Sequence, residues 1–197
     1  YAVWDKGGKK LTRRDLAQQK ILVETKRAAG RGRVTDPDLI VDYPGMKKRQ
    51  YGWYLDLPTD GERVVSHPKV RFGAVYFNTL IPDPKDCGFG GTGWMMSVGL
   101  FNGGSPSAQT PVFDFNEDGA ITIAGDTVEF RRQRYAYAGK MFEKGGEPTG
   151  PSIIATGGRH LRYTVGTETD ETEEIEANLL EEGDRLSGRI SWQQFYQ

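Results

Sequence analysis

The apolar segments of this chain are short, and turn chemistry closes them. Gly52-Trp53-Tyr54-Leu55-Asp56-Leu57 stops at Pro58, and the run from Trp94 to Leu100 gives way to Asn102-Gly103-Gly104-Ser105. Short aromatic and β-branched runs bounded by Gly, Pro, Asn and Asp are the signature of strands joined by tight turns. The 26 glycines and the 11% aromatic content agree with it. Strands are expected over Tyr1–Asp5, Ile21–Val23, Tyr51–Pro58, Arg63–Ser66, Arg71–Leu80, Trp94–Leu100, Thr127–Phe130 and Arg134–Ala138. More are expected over Ser152–Ala155, Arg159–Val165, Ile175–Leu180 and Leu186–Phe195. Thr12-x-x-Asp15 resembles a helix start. Arg27 to Arg33 is basic and glycine-containing, which predicts a loop and a place for disorder. Roughly ten strands with at most one or two short helices predict a single all-β region over 1–197: a sandwich, barrel or propeller.

One loop carries a chemical signal. In Asp114-Phe115-Asn116-Glu117-Asp118-Gly119-Ala120, three short oxygen-bearing side chains, Asp114, Asn116 and Asp118, stand at alternate positions before a glycine. Alternation turns the three oxygens to one side, and Gly119 permits the backbone to fold around a hard cation. The backbone carbonyl of Ala120 would add a ligand, and Asp126 closes the segment. The metal this predicts is Ca²⁺. An EF-hand would carry a bidentate Glu at the twelfth position, where this chain has Gly125. Phe113 and Phe115 before the loop, and Val128 and Phe130 after it, alternate as strands do. The expected site is therefore a calcium loop between strands. An Asp/Asn/Gly-rich hairpin turn uses the same residues and is the alternative.

Charge and the remaining motifs narrow the other classes. Formal net charge is −1 and mean hydropathy is −0.60, so no global charge favours nucleic acid. The distribution is uneven: Lys6 to Arg33 holds ten Lys and Arg against two acids, and Glu168 to Asp184 holds nine acids and no Lys or Arg. Two solvated loops are the simpler reading of that asymmetry. The basic segment lacks interleaved aromatics, which argues against single-stranded nucleic acid. The two histidines, His67 and His160, lack a zinc-ligand spacing. Cys87 is single and has no motif that would make it a nucleophile. The glycines from Gly88 to Gly93 open no helix, so a nucleotide loop is not indicated. Trp4, Trp53, Tyr54, Trp94, Trp192 and Tyr196 are expected mainly in the core. No apolar run reaches membrane-spanning length, so no membrane insertion is expected. The start at Tyr1 without Met predicts a piece of a longer protein.

Several segments in order resemble one family. Gly52-Trp53-Tyr54-Leu55-Asp56-Leu57-Pro58 with Gly61-Glu62-Arg63-Val64-Val65-Ser66 is similar to a run in the PilY-type tip adhesins and biogenesis factors of type IV pili. Phe77-x-Thr79-Leu80-Ile81-Pro82, then Cys87 and Gly90-Gly91-Thr92-Gly93-Trp94-Met95-Met96, resembles the next stretch of those proteins. So do the Asp114–Asp126 loop, Tyr1–Asp5 and Gly188-Arg189-Ile190-Ser191-Trp192 resemble parts of the same region. The resemblance covers nearly the whole chain. It implies the C-terminal β-propeller of a larger secreted protein, built of antiparallel blades. It implies a non-enzymatic role at the pilus tip: assembly with minor pilins, extension against retraction, twitching motility, and adhesion to host or abiotic surfaces. The implied location is extracellular, on the cell surface, after transit through periplasm and outer membrane. Calcium at this kind of loop would be regulatory. A whole propeller needs more than this chain, so further blades are expected from elsewhere. A quinoprotein-like propeller enzyme and a carbohydrate-binding β module are the alternatives; the former commonly carries adjacent cysteines, and this chain has one.

Overall fold

A computed structural model describes residues 1–5, 7, 10–27, 30–43, 50–83, 91–142, 149–156, 159–165 and 172–177. In chain order the strands are β1 (Ala2–Val3), β2 (Ala17–Gln19), β3 (Ile21–Arg27), β4 (Gly30–Thr35), β5 (Gly52–Leu55), β6 (Lys69–Arg71), β7 (Ala74–Asn78), β8 (Ile81–Pro82) and β9 (Gly91–Gly99). They continue as β10 (Thr127–Phe130), β11 (Gln133–Ala136), β12 (Gly139–Phe142), β13 (Ser152–Thr156), β14 (Arg159–Val165) and β15 (Thr172–Ala177). A single 3-10 turn over Arg13–Asp15 is the sole helical element among the described residues, and Thr12 and Asp15 close a capping box on it. The chain is all-β, as the turn pattern predicts.

The central antiparallel sheet runs β3-β4-β12-β9-β7-β6, with β8 also paired to β9. β10 and β11 form a separate hairpin, and β13-β14-β15 form an antiparallel meander. The sheet β1-β5-β2 departs from the antiparallel expectation, because β2 lies parallel to β5. β9 organises the interior. From Gly93 to Val98 it is buried without interruption, the pattern of a strand covered on both faces. Its side chains alternate between two cores. Met95 joins Val34, Phe113, Phe115, Tyr137 and Phe142 in one cluster. Trp94, Met96 and Val98 join Ala17, Trp53 and Met141 in the other.

The described residues of the segment expected to be a loop, Arg27 and 30–33, are strand. Arg27 ends β3 and Gly30 begins β4, and the two strands pair as a hairpin. Gly32 serves packing. A Cβ on Gly32 would stand 2.4 Å from the Tyr137 ring and 2.8 Å from the Phe115 ring. Those two rings stack with centroids 4.0 Å apart, so Gly32 is the space in which they lie. Arg33 is wholly buried. Its guanidinium donates to Glu24 at 2.6 Å and to both carboxylate oxygens of Glu62 at 2.6 and 2.9 Å. It also lies over the Trp94 ring, 3.9 Å from its centre. Glu62 accepts a further bond from the Thr79 hydroxyl, which in turn takes the Trp94 N–H.

Other boundaries differ from the sequence reading. Arg71–Leu80 is two strands, because Phe72 and Gly73 both adopt positive φ and reverse the chain between β6 and β7. That is the two-residue hairpin geometry matching strand twist. Arg63–Ser66 forms only a bridge from Arg63 to Leu80. Among the aromatics, Trp53 and Trp94 are buried as expected. Trp4 is exposed, and with Tyr43 and Phe101 it edges an apolar recess of about 500 Å³. Burial there raises the Tyr43 phenol above its ordinary pKa, and its hydroxyl donates to the Phe101 carbonyl. Cys87, Trp192, Tyr196, the strand expected over Leu186–Phe195 and most of the acidic run from Glu168 to Asp184 lie outside the described residues.

The Arg33 network yields a direct test. Arg33→Ala leaves Glu62 buried without its partner, and urea unfolding should show a loss of about 3–5 kcal/mol. Arg13→Ala breaks an ion pair with Asp56 whose side chains are half exposed, and the same measurement should show little or no change.

Candidate metal-binding loop

The loop begins on the core. Phe113 and Phe115 are both buried in the cluster that holds Tyr137 and Phe142, so their alternation is real, although residues 111–126 form no strand. The regular ladder resumes only at β10. Between these anchors residues 116–120 are exposed. The turn is made by Glu117 at φ 60° and Gly119 at φ 83°. A Cβ on Gly119 would meet nothing within 4 Å, so that glycine answers the backbone conformation and not crowding.

The alternating side chains fold inward onto this turn. The Asp114 carboxylate accepts the backbone N–H of Asp118 at 3.2 Å and of Gly119 at 2.8 Å. Asn116 Oδ1 accepts the Asp118 N–H at 3.4 Å, and Asn116 Nδ2 donates to Asp118 Oδ2 at 2.7 Å. Asp118 Oδ1 accepts the Ala120 N–H at 2.9 Å. Asp114, Asn116 and Asp118 are thus brought together, as the spacing predicts. Each carboxylate oxygen keeps acceptor capacity beyond one N–H. A set of carboxylate, amide and carbonyl oxygens suits a hard cation such as Ca²⁺. On these grounds the residues fit the ion. Among the described residues, no three His, Cys, Asp or Glu side chains form a metal-holding group by themselves. Neutral oxygens from Asn116 and the Ala120 carbonyl would therefore have to complete the set.

Asp126 has a different position. It is fully buried, and its carboxylate takes three backbone amides: Phe115 and Asn116 on one oxygen and Thr122 on the other. It closes the base of the loop and ties the Phe115 anchor to the return arm. Gly125 explains why no glutamate stands at the twelfth position. A Cβ there would lie 2.6 Å from Asn116 Nδ2 and 3.1 Å from Thr122 Oγ1, so a side chain would displace a proposed ligand.

Two residues escape a reading based on acids alone. Thr122 continues the alternation to the ninth position, from which calcium loops often reach their ion through water, and its hydroxyl accepts the Gly125 N–H. Lys140, on β12, sends its ammonium to the Asp114 carbonyl at 3.3 Å and to Glu117 Oε1 at 2.9 Å. The first is visible as one more step of the spacing. The second has no local signal, being 26 residues from Asp114.

No family model matches the chain. Over 140 residues it is 24% identical to the type IV pilus biogenesis factor PilY1 homolog of Xylella fastidiosa (strain Temecula1 / ATCC 700964), a match that covers 64% of this chain and 9% of that protein. The crystal structure of the Pseudomonas aeruginosa PilY1 C-terminal domain matches with a TM-score of 0.62 at 20% identity, over 85% of this chain and 32% of that one. The chain resembles the PilY1 C-terminal domain. The resemblance read from the sequence is thereby borne out, and so is the all-β fold of propeller type with antiparallel sheets. The chain spans only a small part of the curated relative and about a third of the PilY1 domain. Among the described residues no helix is long and apolar enough to cross a membrane.

Asp126 separates bracing from metal binding. Asp126→Ala leaves buried amides without an acceptor, and unfolding should show a loss of about 3 kcal/mol, each orphaned amide contributing about 1–3 kcal/mol. Because the brace acts without an ion, thermal melts in chelator should show a loss as well.

Proposed function

We propose that this chain is part of a type IV pilus factor and acts, without catalysis, as a calcium-responsive component of the pilus tip. The observation that carries the reading is the structural likeness to the PilY1 C-terminal domain over 85% of the chain. On this reading Asp114, Asn116, Asp118 and the Ala120 carbonyl hold Ca²⁺, and Asp126 braces the loop and closes the set. The ion supplies positive charge among clustered carboxylates, which otherwise repel one another. The chain's own residues do the rest. Phe113 and Phe115 anchor the leading arm in the core, and β10 carries the return arm into a hairpin, so loop order is passed to packed elements. The tip partners would be minor pilins, and the surface reached would be that of a host or an abiotic solid. The place of action would be the cell surface, after passage through periplasm and outer membrane. Support for pilus extension over retraction, twitching motility and adhesion belong to the same proposal.

Melting in calcium and in chelator tests the metal. An ion that binds only the folded state at about a hundred times its Kd stabilises by about 2.7 kcal/mol, which for a chain of this size raises Tm by about 5–10 °C. Asp118→Ala should remove that shift, its side chain lying at the exposed tip of the loop. Equal melting curves with and without calcium, and no metal in the purified protein, would defeat the calcium part. Capture of minor pilins by the immobilised chain, compared in calcium and in chelator, tests the pilus part.

A further inference from the structure

We propose that Lys140 is a resident counter-ion of the Asp114–Asp126 loop, which keeps the loop folded when calcium is scarce and lowers its affinity for calcium. The inference rests on the calcium reading above and concerns how that site is tuned. Lys140 lies within β12, paired with Gly32 of β4 on one side and Met95 of β9 on the other. Strand neighbours on both sides hold its backbone in the middle of the central sheet. Its side chain is only 8% exposed, and its ammonium contacts the Asp114 carbonyl and the Glu117 carboxylate. Glu117 is the exposed partner, at 61%. A buried ammonium has to be paired, and here both of these oxygens belong to the loop. One of them is on the backbone of the first proposed ligand.

From residue 114 to 126 the loop carries Asp114, Glu117, Asp118 and Asp126, and no Lys or Arg. Lys140 is thus a single positive charge set against four negative ones. It lessens the repulsion that would open the empty loop. It also opposes a divalent cation arriving at Asp114 and Asp118, and a buried charge is screened by salt less than an exposed one. The lysine could act the other way, by holding Asp114 ready for the ion. That role is already filled: Asp126 closes the loop base with three backbone amides, and Asp114 takes two amides of the turn. Charge is therefore the larger effect of removing the lysine.

Calorimetric titration of the whole chain with CaCl₂ at one pH tests this, alongside melts in calcium and in chelator. Lys140→Met keeps the length and apolar stem and removes the charge. It should bind calcium about tenfold tighter, in line with removing one weakly screened charge close to the ion, and its melting temperature should depend more on calcium than that of the unaltered chain. Lys140→Arg keeps the charge and should stay close to the unaltered affinity, which a purely structural role of the ammonium group would not require. Lys140→Gln also removes the charge and should bind calcium tighter than the unaltered chain; it reads the same effect should Lys140→Met fail to fold. Calcium binding by the unaltered chain with equal or weaker binding by Lys140→Met and Lys140→Gln overturns the role of Lys140 and leaves the calcium reading in place. Detectable binding only in Lys140→Met supports both. No binding in any variant overturns the calcium reading and this inference with it.

Discussion

The buried guanidinium of Arg33 ties together parts of the chain that share no sequence neighbourhood. Through Glu24 it joins β3 to β4, and through Glu62 and Thr79 it reaches the segment leading into β8. It lies over Trp94 near the start of the buried stretch of β9. Arginine suits this place because its planar fork satisfies one carboxylate with two parallel bonds while its face packs on an aromatic ring. Such an ion pair is weak evidence of added stability over an apolar core. With Arg33 misplaced, the Glu62 carboxylate is left in the interior without its ion-pair partner.

The same sheet carries the loop. β4 offers Gly32 as the hollow for the Phe115–Tyr137 stack; β12 offers Lys140 to the loop backbone. Phe115 and Asp114 are adjacent in sequence, so one residue is held by the core and the next is presented at the surface. Core packing and the alternating oxygens are two sides of one segment. The loop is anchored by side chains and closed by Asp126, without the helices that frame an EF-hand.

Much of this is readable from the chain. The all-β class follows from short runs ended by Gly, Pro and Asn, and the inward folding of Asp114, Asn116 and Asp118 follows from their spacing. The features that stay hidden depend on distant partners. Arg27–Arg33 resembles a loop because Gly30, Gly32 and three arginines are loop-prone in isolation; Glu24, Glu62 and the Phe115–Tyr137 rings make the segment part of a hairpin. The Phe72–Gly73 turn lacks an Asn-Gly or Asp-Gly signal, since a bulky residue occupies the first left-handed position. Asp126 is legible as an oxygen donor at the close of the loop, but not as the acceptor of three backbone amides.

The parallel pairing of β2 with β5 bears on how the chain reaches this state. Ala17 lies opposite Trp53 and Gln19 opposite Leu55, and the whole β3–β4 hairpin is strung between the two strands. Parallel neighbours cannot be joined by a tight turn. The hairpin is local and closes early, whereas the β2–β5 register has to wait for a distant segment to return, and non-local pairings of this kind slow folding. Until then the edge of β5 is open to other chains, at a strand whose Trp53 belongs to the core. A chain emerging N-terminus first would pass through that unsealed state before its first sheet closes.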